Sequence, residues 1–333
     1  MKFIDSNYEI IPQEPGLLGV YKQIEKAART AYKSEDKITE GSAQRMVESL
    51  CKSNHGACLE HGTIYLEVPM ENGDWVGICG DYDDNPYSIV KYVDYGDYMK
   101  AYITTNARVI FENGWEDDLK YMCEPTEFHE KRITVKFITS IGIVREILRH
   151  RHFSFLNEST RYCNYSKGKF NEELTFIIPQ WIYDCRDSWA PCTRWPDEKM
   201  DYLYDYSGEK LVHHLTAIDR TVAAYYNLFE KIESEYLFDV TEPDGYKLKP
   251  EEARGMLPLD LKSELIVTGF VSDWIHFFRL RSHIAATGKP HPDIQRLANP
   301  LMQEFIDRGF ITNAQINRMK DEIYKKQVFE ESS

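Results

Sequence analysis

The sequence predicts an α+β fold built as one elaborated domain over residues 1–333. Apolar residues recur with the period of a helix in some stretches and with a period of two in others. No internal repeat, low-complexity tract or linker rich in Pro, Gly or Ser marks a boundary between them.

Leu18, Tyr21, Ile24, Ala27, Ala28 and Ala31 fall on one helical face over 18–33, and Met46, Val47 and Leu50 do the same over 42–52. Residues 63–69 alternate Ile64, Leu66 and Val68, the pattern of a strand, and the stretches 103–111 and 132–138 repeat it. Between the first two strands, residues 71–98 are crowded with Asp, Gly, Asn and Tyr and read as an irregular insertion. After Ser140 the period changes to that of a helix across 142–151, followed by a polar run suited to a loop. Residues 175–179 form a further short strand, and 180–197 read as a second insertion.

The longest helix is expected over 198–237, where Leu211, Leu215, Ile218, Val222, Tyr225, Leu228, Phe229 and Ile232 make a continuous stripe. Pro250, Glu251 and Glu252 begin another helix, since proline fits the first turn and acids complement the positive end of the dipole. A last helical pattern runs through Leu261, Leu265, Trp274, Phe277 and Phe278 to Arg281, closed by Gly288 and Pro290.

The charge balance narrows the function. Against 54 Asp and Glu stand 40 Lys and Arg, a net charge of −14 that repels polyanions, so neither nucleic acid nor an acidic membrane surface is an expected partner. Any anion site must be local. The first residues are partly acidic and no apolar stretch reaches the length of a membrane span, so a soluble, cytoplasmic protein is expected. Seven cysteines without a C-x-x-C pair read as reduced thiols.

The most informative segment runs from Arg145 to Arg161. Arg145 and Arg149 share a helix face at i and i+4, an arrangement that costs a few tenths of a kcal/mol on an exposed helix. Basic residues at a helix end complement its dipole. That accounts for one or two of them, but not for Arg145, Arg149, Arg151 and Arg161 within 17 positions of an acidic chain. Guanidinium forks interleaved with Ser and Asn donors suit a phosphate and a heterocycle with carbonyl edges. His55 and His61 alone read as core or cap histidines. A metal pair is disfavoured, because five intervening residues do not bring them to one helix face and no acidic or cysteine cluster completes a tetrahedron. No metal is expected.

Arg149-His150-Arg151, seven intervening residues and Ser159 reproduce the R-H-R-x7-S signature, and on it the chain resembles the flavin-dependent thymidylate synthases. His55 through Glu60-His61 resembles that family's H-x-x-x-x-E-H box, and Ala253-Arg254 through Pro258 to Arg281 resembles its C-terminal helices. The resemblance implies a central, mostly antiparallel sheet flanked by helices. It also implies a homotetramer with sites shared between subunits, and methylation of deoxyuridine monophosphate (dUMP) to dTMP. The one-carbon unit would come from 5,10-methylenetetrahydrofolate, and NADPH would reduce a bound FAD.

Carried over by position, dUMP would meet Glu146, Arg149, Asn157, Glu158, Ser159, Thr160, Arg161, Arg254 and Arg281, with Arg281 the catalytic residue that activates the pyrimidine. FAD would meet His55, Ala57, Glu60, Arg149, His150, Arg151, Asn157 and His276. Ala57, Phe270 and Ser272 depart from the family's pattern around FAD, and His283 or His291 stands in for a displaced histidine. Two alternatives are a nucleotide-binding protein without catalysis and a metal-dependent nucleotide hydrolase using His55, His61, His150 and His152.

Overall fold

A computed structural model describes residues 2–70, 78–161, 174–182, 208–227, 249–285 and 288–318. In chain order the elements begin with β1 (Lys2–Ile4), β2 (Asn7–Ile11), α1 (Gly16–Tyr32), α2 (Ser42–Lys52), α3 (Gly56–Leu59) and β3 (Thr63–Met70). Next come α4 (Ile78–Asp83), β4 (Ile89–Asp94), β5 (Met99–Asn106), α5 (Ala107–Asn113), β6 (Arg132–Ser140), α6 (Ile141–Ile147) and β7 (Ser154–Asn157). The last are β8 (Thr175–Ile177), α7 (Gly208–Asn227), α8 (Pro250–Ala253), β9 (Lys262–Phe270), α9 (Val271–Arg281) and α10 (Pro292–Asp307). The chain divides into two compact units: Met1–Ser6, Ile138–Glu146 and Glu158–Ser263 form one, and Asn7–Phe137, Ile147–Asn157 and Glu264–Ser333 the other.

The architecture is α+β. Its strands form a two-stranded sheet (β1-β8), a three-stranded sheet (β3-β5-β4) and a four-stranded sheet (β2-β6-β9-β7). β3 and β4 both run antiparallel to β5, β7 runs antiparallel to β9, and β1 pairs β8 in parallel. β4 is an edge strand.

Several sequence expectations change at the level of single elements. The strand expected over 103–111 ends at Asn106, whose side chain accepts from the Val109 amide at 3.2 Å and caps α5. Asparagine satisfies an orphan amide there, so the apolar residues beyond it continue as a helix. The insertion at 71–98 holds regular structure, since α4 and β4 lie within it. The polar run after Arg151 contains β7, and the apolar stretch through Leu261 and Leu265 is β9, with the helix beginning only at Val271. From Ser263 to Gly269 every residue of β9 is buried, so the strand shows no alternation and its periodicity does not separate it from a helix. Residues 71–77, 183–207 and 228–237, with Cys163, Cys185 and Cys192, lie outside the described residues.

In the larger unit, α1 and α2 pack with β3 and β5 around Val20, Ile24, Leu50, Ile64, Leu66 and Ile103. A second centre is aromatic. Trp274, fully buried, lies 4.6 Å from Phe153 and 5.6 Å from Phe277, and its indole N–H donates to the Ile133 carbonyl at 3.1 Å. Between Lys33 and Lys136, the Glu264 carboxylate forms ion pairs with both. In the smaller unit, Phe3 of β1 meets Phe176 of β8 at 5.7 Å, beside Ile218 and Tyr225 of α7.

Gly269 fixes one close approach. A Cβ at this position in β9 would lie 2.1 Å from Cδ1 of Phe153, which no real contact tolerates. Gly269→Ala therefore forces the buried Phe153 ring aside. Overpacking of this kind costs typically 1–3 kcal/mol, so the urea midpoint of the variant falls by a corresponding amount; an unchanged midpoint would show that the ring relocates without cost.

Candidate functional site

In the larger unit, the segment after α6 and the face of α9 line a cleft of about 430 Å³. Its walls include Arg149, His150, Arg151, Asp273, His276 and Arg281. The segment leaves the helix earlier than its period suggests. α6 ends at Ile147, and the backbone then turns through His150 N–H to Ile147 O at 3.1 Å and Phe153 N–H to His150 O at 3.2 Å. Arg149 is therefore not on a helix face with Arg145, and their i,i+4 repulsion does not arise. Burial of His150 and Phe153 drives the turn, leaving Arg149, Arg151 and His152 exposed.

His150 is the centre of the geometry. Its ring lies 5.1 Å from Phe277 and 6.2 Å from His276, and its Nε2 accepts from Arg281 Nε at 3.1 Å. A nitrogen that accepts from a guanidinium carries no proton, so the imidazole is neutral with its proton on Nδ1. Burial first, then the Arg281 and His276 charges, push its pKa from 6.5 down to about 4. The Nε of Arg281, at the C-terminal end of α9, is thereby held by a neutral acceptor. Asp273, at the N-terminal end of the same helix, accepts from the Phe270 amide at 3.1 Å, and burial raises its pKa.

In the smaller unit lies a second polar group. Ser159 Oγ accepts from the Arg161 amide at 3.3 Å, Arg161 Nε donates to Glu251 at 2.5 Å, and Arg254 Nη1 donates to Thr160 Oγ1 at 3.4 Å. Glu158 is buried and paired with Lys262 at 2.9 Å. Arg161 and Arg254, far apart in sequence, thus meet around Thr160 with their guanidinium groups exposed. Glu146 sits half-buried on α6 of the same unit.

The remaining anticipated residues belong to the larger unit. His55 and Ala57 are exposed at the start of α3, and Glu60 accepts from Arg108 Nη1 at 2.6 Å. Asn157 ends β7 opposite Leu265. None of these four lines the cleft. Ser272 has its amide on Glu130 at 3.0 Å, and the Phe270 ring carries the Arg132 guanidinium at 5.5 Å. His283 is bonded to Asn299, while His291 caps α10 through the Asp293 amide at 3.2 Å. His61 is a core histidine, its Nδ1 2.8 Å from Thr268 Oγ1 and its pKa pushed down to about 3 by burial. Among the described residues no group of three or more His, Cys, Asp or Glu is placed to hold a metal ion.

Sequence reasoning passed over Asp273 and Leu280 of the cleft wall and the buried Arg132. For Asp273 a signal existed: an acid three residues after Phe270 satisfies an orphan amide at the start of a helix. For Arg132 there was none, because a basic residue opening a strand normally faces solvent.

Both neutral histidines lose stability in acid. A histidine whose folded pKa lies below its unfolded value contributes its full share above about pH 6.5, and that share is lost as pH falls toward the folded pKa. For His150 and His61 the window runs from pH 6.5 down to about 4 and about 3. Unfolding free energy measured in urea should fall from pH 7 to pH 5. Replacing His150 by Gln should flatten that slope; an equal slope in the variant would place His150 outside the linkage.

The family model described as thymidylate synthase complementing protein matches residues 117–308, more than half of the chain. A flavin-dependent thymidylate synthase from Mycobacterium sp. strain KMS is 25% identical over 176 residues, covering 51% of this chain and 57% of the relative. The protein of that name from Synechocystis sp. is 27% identical over 172 residues, covering 52% and 66%. The chain thus spans less than two thirds of the length of either. Among solved structures, a UMP/dUMP methylase from Streptomyces cacaoi bound with 5-Br dUMP aligns over 92% of this chain and 93% of its own, with 18% identity and a TM-score of 0.38. Matched over the span that holds the R-H-R segment, Arg254 and Arg281, the chain belongs to the thymidylate synthase complementing protein family.

Proposed function

We propose that this protein is a flavin-dependent thymidylate synthase, methylating dUMP to dTMP with 5,10-methylenetetrahydrofolate as carbon donor, FAD as cofactor and NADPH as reductant. The observation that carries the reading is the hydrogen bond from Arg281 to a neutral His150 in a cleft walled by Arg149 and Arg151. The neutral imidazole holds the guanidinium by its Nε without adding a negative charge of its own, and Arg281 lines the cleft.

The residues present fit a flavin ring. The cleft lies within the usual size range for small-molecule sites, and its arginines offer donors to the carbonyl oxygens and ring nitrogens along one edge of the isoalloxazine. Arg149, His150, Arg151 and His276 would hold that ring, and His55, Ala57, Glu60 and Asn157 would add contacts elsewhere along FAD. Phe270 and Ser272 are engaged with Arg132 and Glu130, so the adenosine half gains no side-chain donors there. Bound flavin supplies the hydride that converts the methylene group to a methyl group.

The chain's own residues position and polarise the substrate. Arg281 carries a fixed positive charge for the pyrimidine, stabilising the negative charge that develops as the ring becomes nucleophilic. Its Nε is held by His150, which fixes the orientation of the guanidinium. Arg149 would contribute to both ligands. In the smaller unit, Glu158, Ser159, Thr160, Arg161 and Arg254 are assigned to the sugar and phosphate, with Glu146 approaching the nucleotide. Phosphate there would take the place of Glu251 beside Arg161. Ser159 acts as a donor, not a nucleophile, since it accepts from the Arg161 amide and the described residues show no base bonded to it. The working assembly is a homotetramer in the cytoplasm.

The test is anaerobic turnover with FAD, NADPH, dUMP and methylenetetrahydrofolate, with dTMP as the readout. Arg281→Ala should lower turnover about 10²–10³-fold, the usual cost of one preorganised donor, while the protein keeps its yellow flavin. Undiminished turnover in the variant would remove Arg281 from the chemistry. Absence of dTMP with the FAD-loaded wild type would remove the reaction.

A further inference from the structure

In the cleft of His150 and Arg281, one wall residue has no part in the chemistry assigned above. Asp273 is the one acid among the described residues of that wall, which otherwise carries Arg149, Arg151, Arg281 and three histidines. Its Oδ2 accepts from the Phe270 amide at 3.1 Å, and this fixes the carboxylate at the first turn of α9. Its Oδ1 has no hydrogen-bond partner among the described residues and is not sealed in the interior. Burial raises the pKa of Asp273, and the Phe270 amide with the charges of His152 and Arg132 opposes that rise. None of the three arginines of the cleft comes within ion-pair distance of it, so the acceptor is left for a ligand.

Arginine offers donors only and an ionised carboxylate acceptors only. Arginines alone would suit carbonyl oxygens or a phosphate, whereas a carboxylate in the same wall repels a phosphate and calls for an N–H. The edge that matches both is an imide, in which an N–H lies between two carbonyl oxygens. The isoalloxazine ring has such an edge at N3, and uracil has another. Position along α9 separates the two. Asp273 and His276 lie one turn apart on one helix face, whereas Arg281 is eight residues beyond Asp273, about 12 Å along the axis. Arg281 is the residue assigned to the pyrimidine, and the edge beside Asp273 is therefore the flavin's.

We propose, resting on the flavin reading of this cleft, that Asp273 accepts the N3–H of the flavin ring through Oδ1, while arginines of the same wall donate to the adjacent carbonyl oxygens. The carboxylate thereby sets which edge of the ring enters the cleft. Without it, N3–H would be left unpaired against a wall rich in donors, and affinity would fall. Asparagine at this position keeps an oxygen for the Phe270 amide, so the start of α9 is preserved, but it turns an amide N–H toward the ring.

The experiment is fluorescence titration of the flavin-free full chain with lumiflavin and with 3-methyllumiflavin, which differ only at N3. Lumiflavin should bind saturably, and the methylated ring about tenfold or more weakly, the scale of one hydrogen bond lost with its acceptor left unfilled. Because the methyl group also adds bulk, Asp273→Asn separates the two causes. In that variant lumiflavin itself binds more weakly and the preference should shrink to about twofold or less; a preference kept in full is due to bulk alone and overturns the proposal. A parallel titration of the FAD-loaded chain with dUMP and N3-methyl-dUMP tests the uracil. If Asp273→Asn abolishes a preference for dUMP and not one for lumiflavin, the acceptor belongs to the substrate and the flavin assignment falls. Equal binding of the two lumiflavins by the wild type overturns the proposal and leaves the flavin reading intact, a comparison that holds whether or not the variant folds. Failure of lumiflavin to bind overturns the proposal, and failure of FAD as well removes the flavin reading with it.

Discussion

The contact between Phe153 and Gly269 is the constraint on which the cleft depends. Only a residue without a side chain lets the ring lie against β9 at that distance, and the ring in turn packs on Trp274 and Phe277 of α9. His150, three residues earlier, is thereby pressed against the same helix, one end of which carries Arg281. The polar hydrogen bond of the site is a by-product of apolar packing: the aromatic centre decides where the imidazole lies, and its burial decides that the imidazole is neutral. Aromatic side chains suit this task, because each buries a large area with few rotatable bonds.

Three ways of burying polar groups coexist in the larger unit. Glu264 is charged and compensated on both sides. His61 avoids the problem by giving up its charge and bonding Thr268, which is itself bonded to Thr134 at 2.8 Å. Arg132 keeps its charge and is compensated by carbonyl and hydroxyl dipoles, by the face of Phe270 and by the more distant charges of Glu60 and Asp273. The three solutions differ in what they leave for a ligand. Arg132 Nε and His61 Nε2 both stay buried without a hydrogen-bond partner, and Arg281 places its Nε against a neutral acceptor beside a cleft.

Much of the fold was legible because its signals are local. The period of α1 and α2 and the alternation of β3 put Ile24, Leu50, Ile64, Leu66 and Val68 in the core, and these elements lie where the pattern puts them. β9 was not legible as a strand, since burial on both faces erases the alternation that distinguishes strand from helix. The strand expected through 103–111 failed at Asn106 for a chemical reason, the capping of α5, which outweighed a continuing apolar run. For the site, the R-H-R segment stood out by composition and resemblance and Arg281 by resemblance alone, and the hydrogen bond joining them spans 131 positions of sequence. No local pattern encodes such a distance. Arg132 was illegible for a related reason: its burial comes from Glu60, Ser154 and Phe270, residues drawn from three separate stretches of chain.

The edge strand β4 has a consequence for the behaviour of the protein at high concentration. Among the described residues no strand pairs with its outer side, and a bare edge is a template for sheet growth between molecules. Its sequence opposes that growth. Lys91 and Asp94 are exposed along it, and the Tyr92 hydroxyl donates to Asp83 beside it. A second chain adding there would have to strip water from a cation and an anion for each strand gained. The segment that carries β4 therefore brings its own protection against self-association through the backbone.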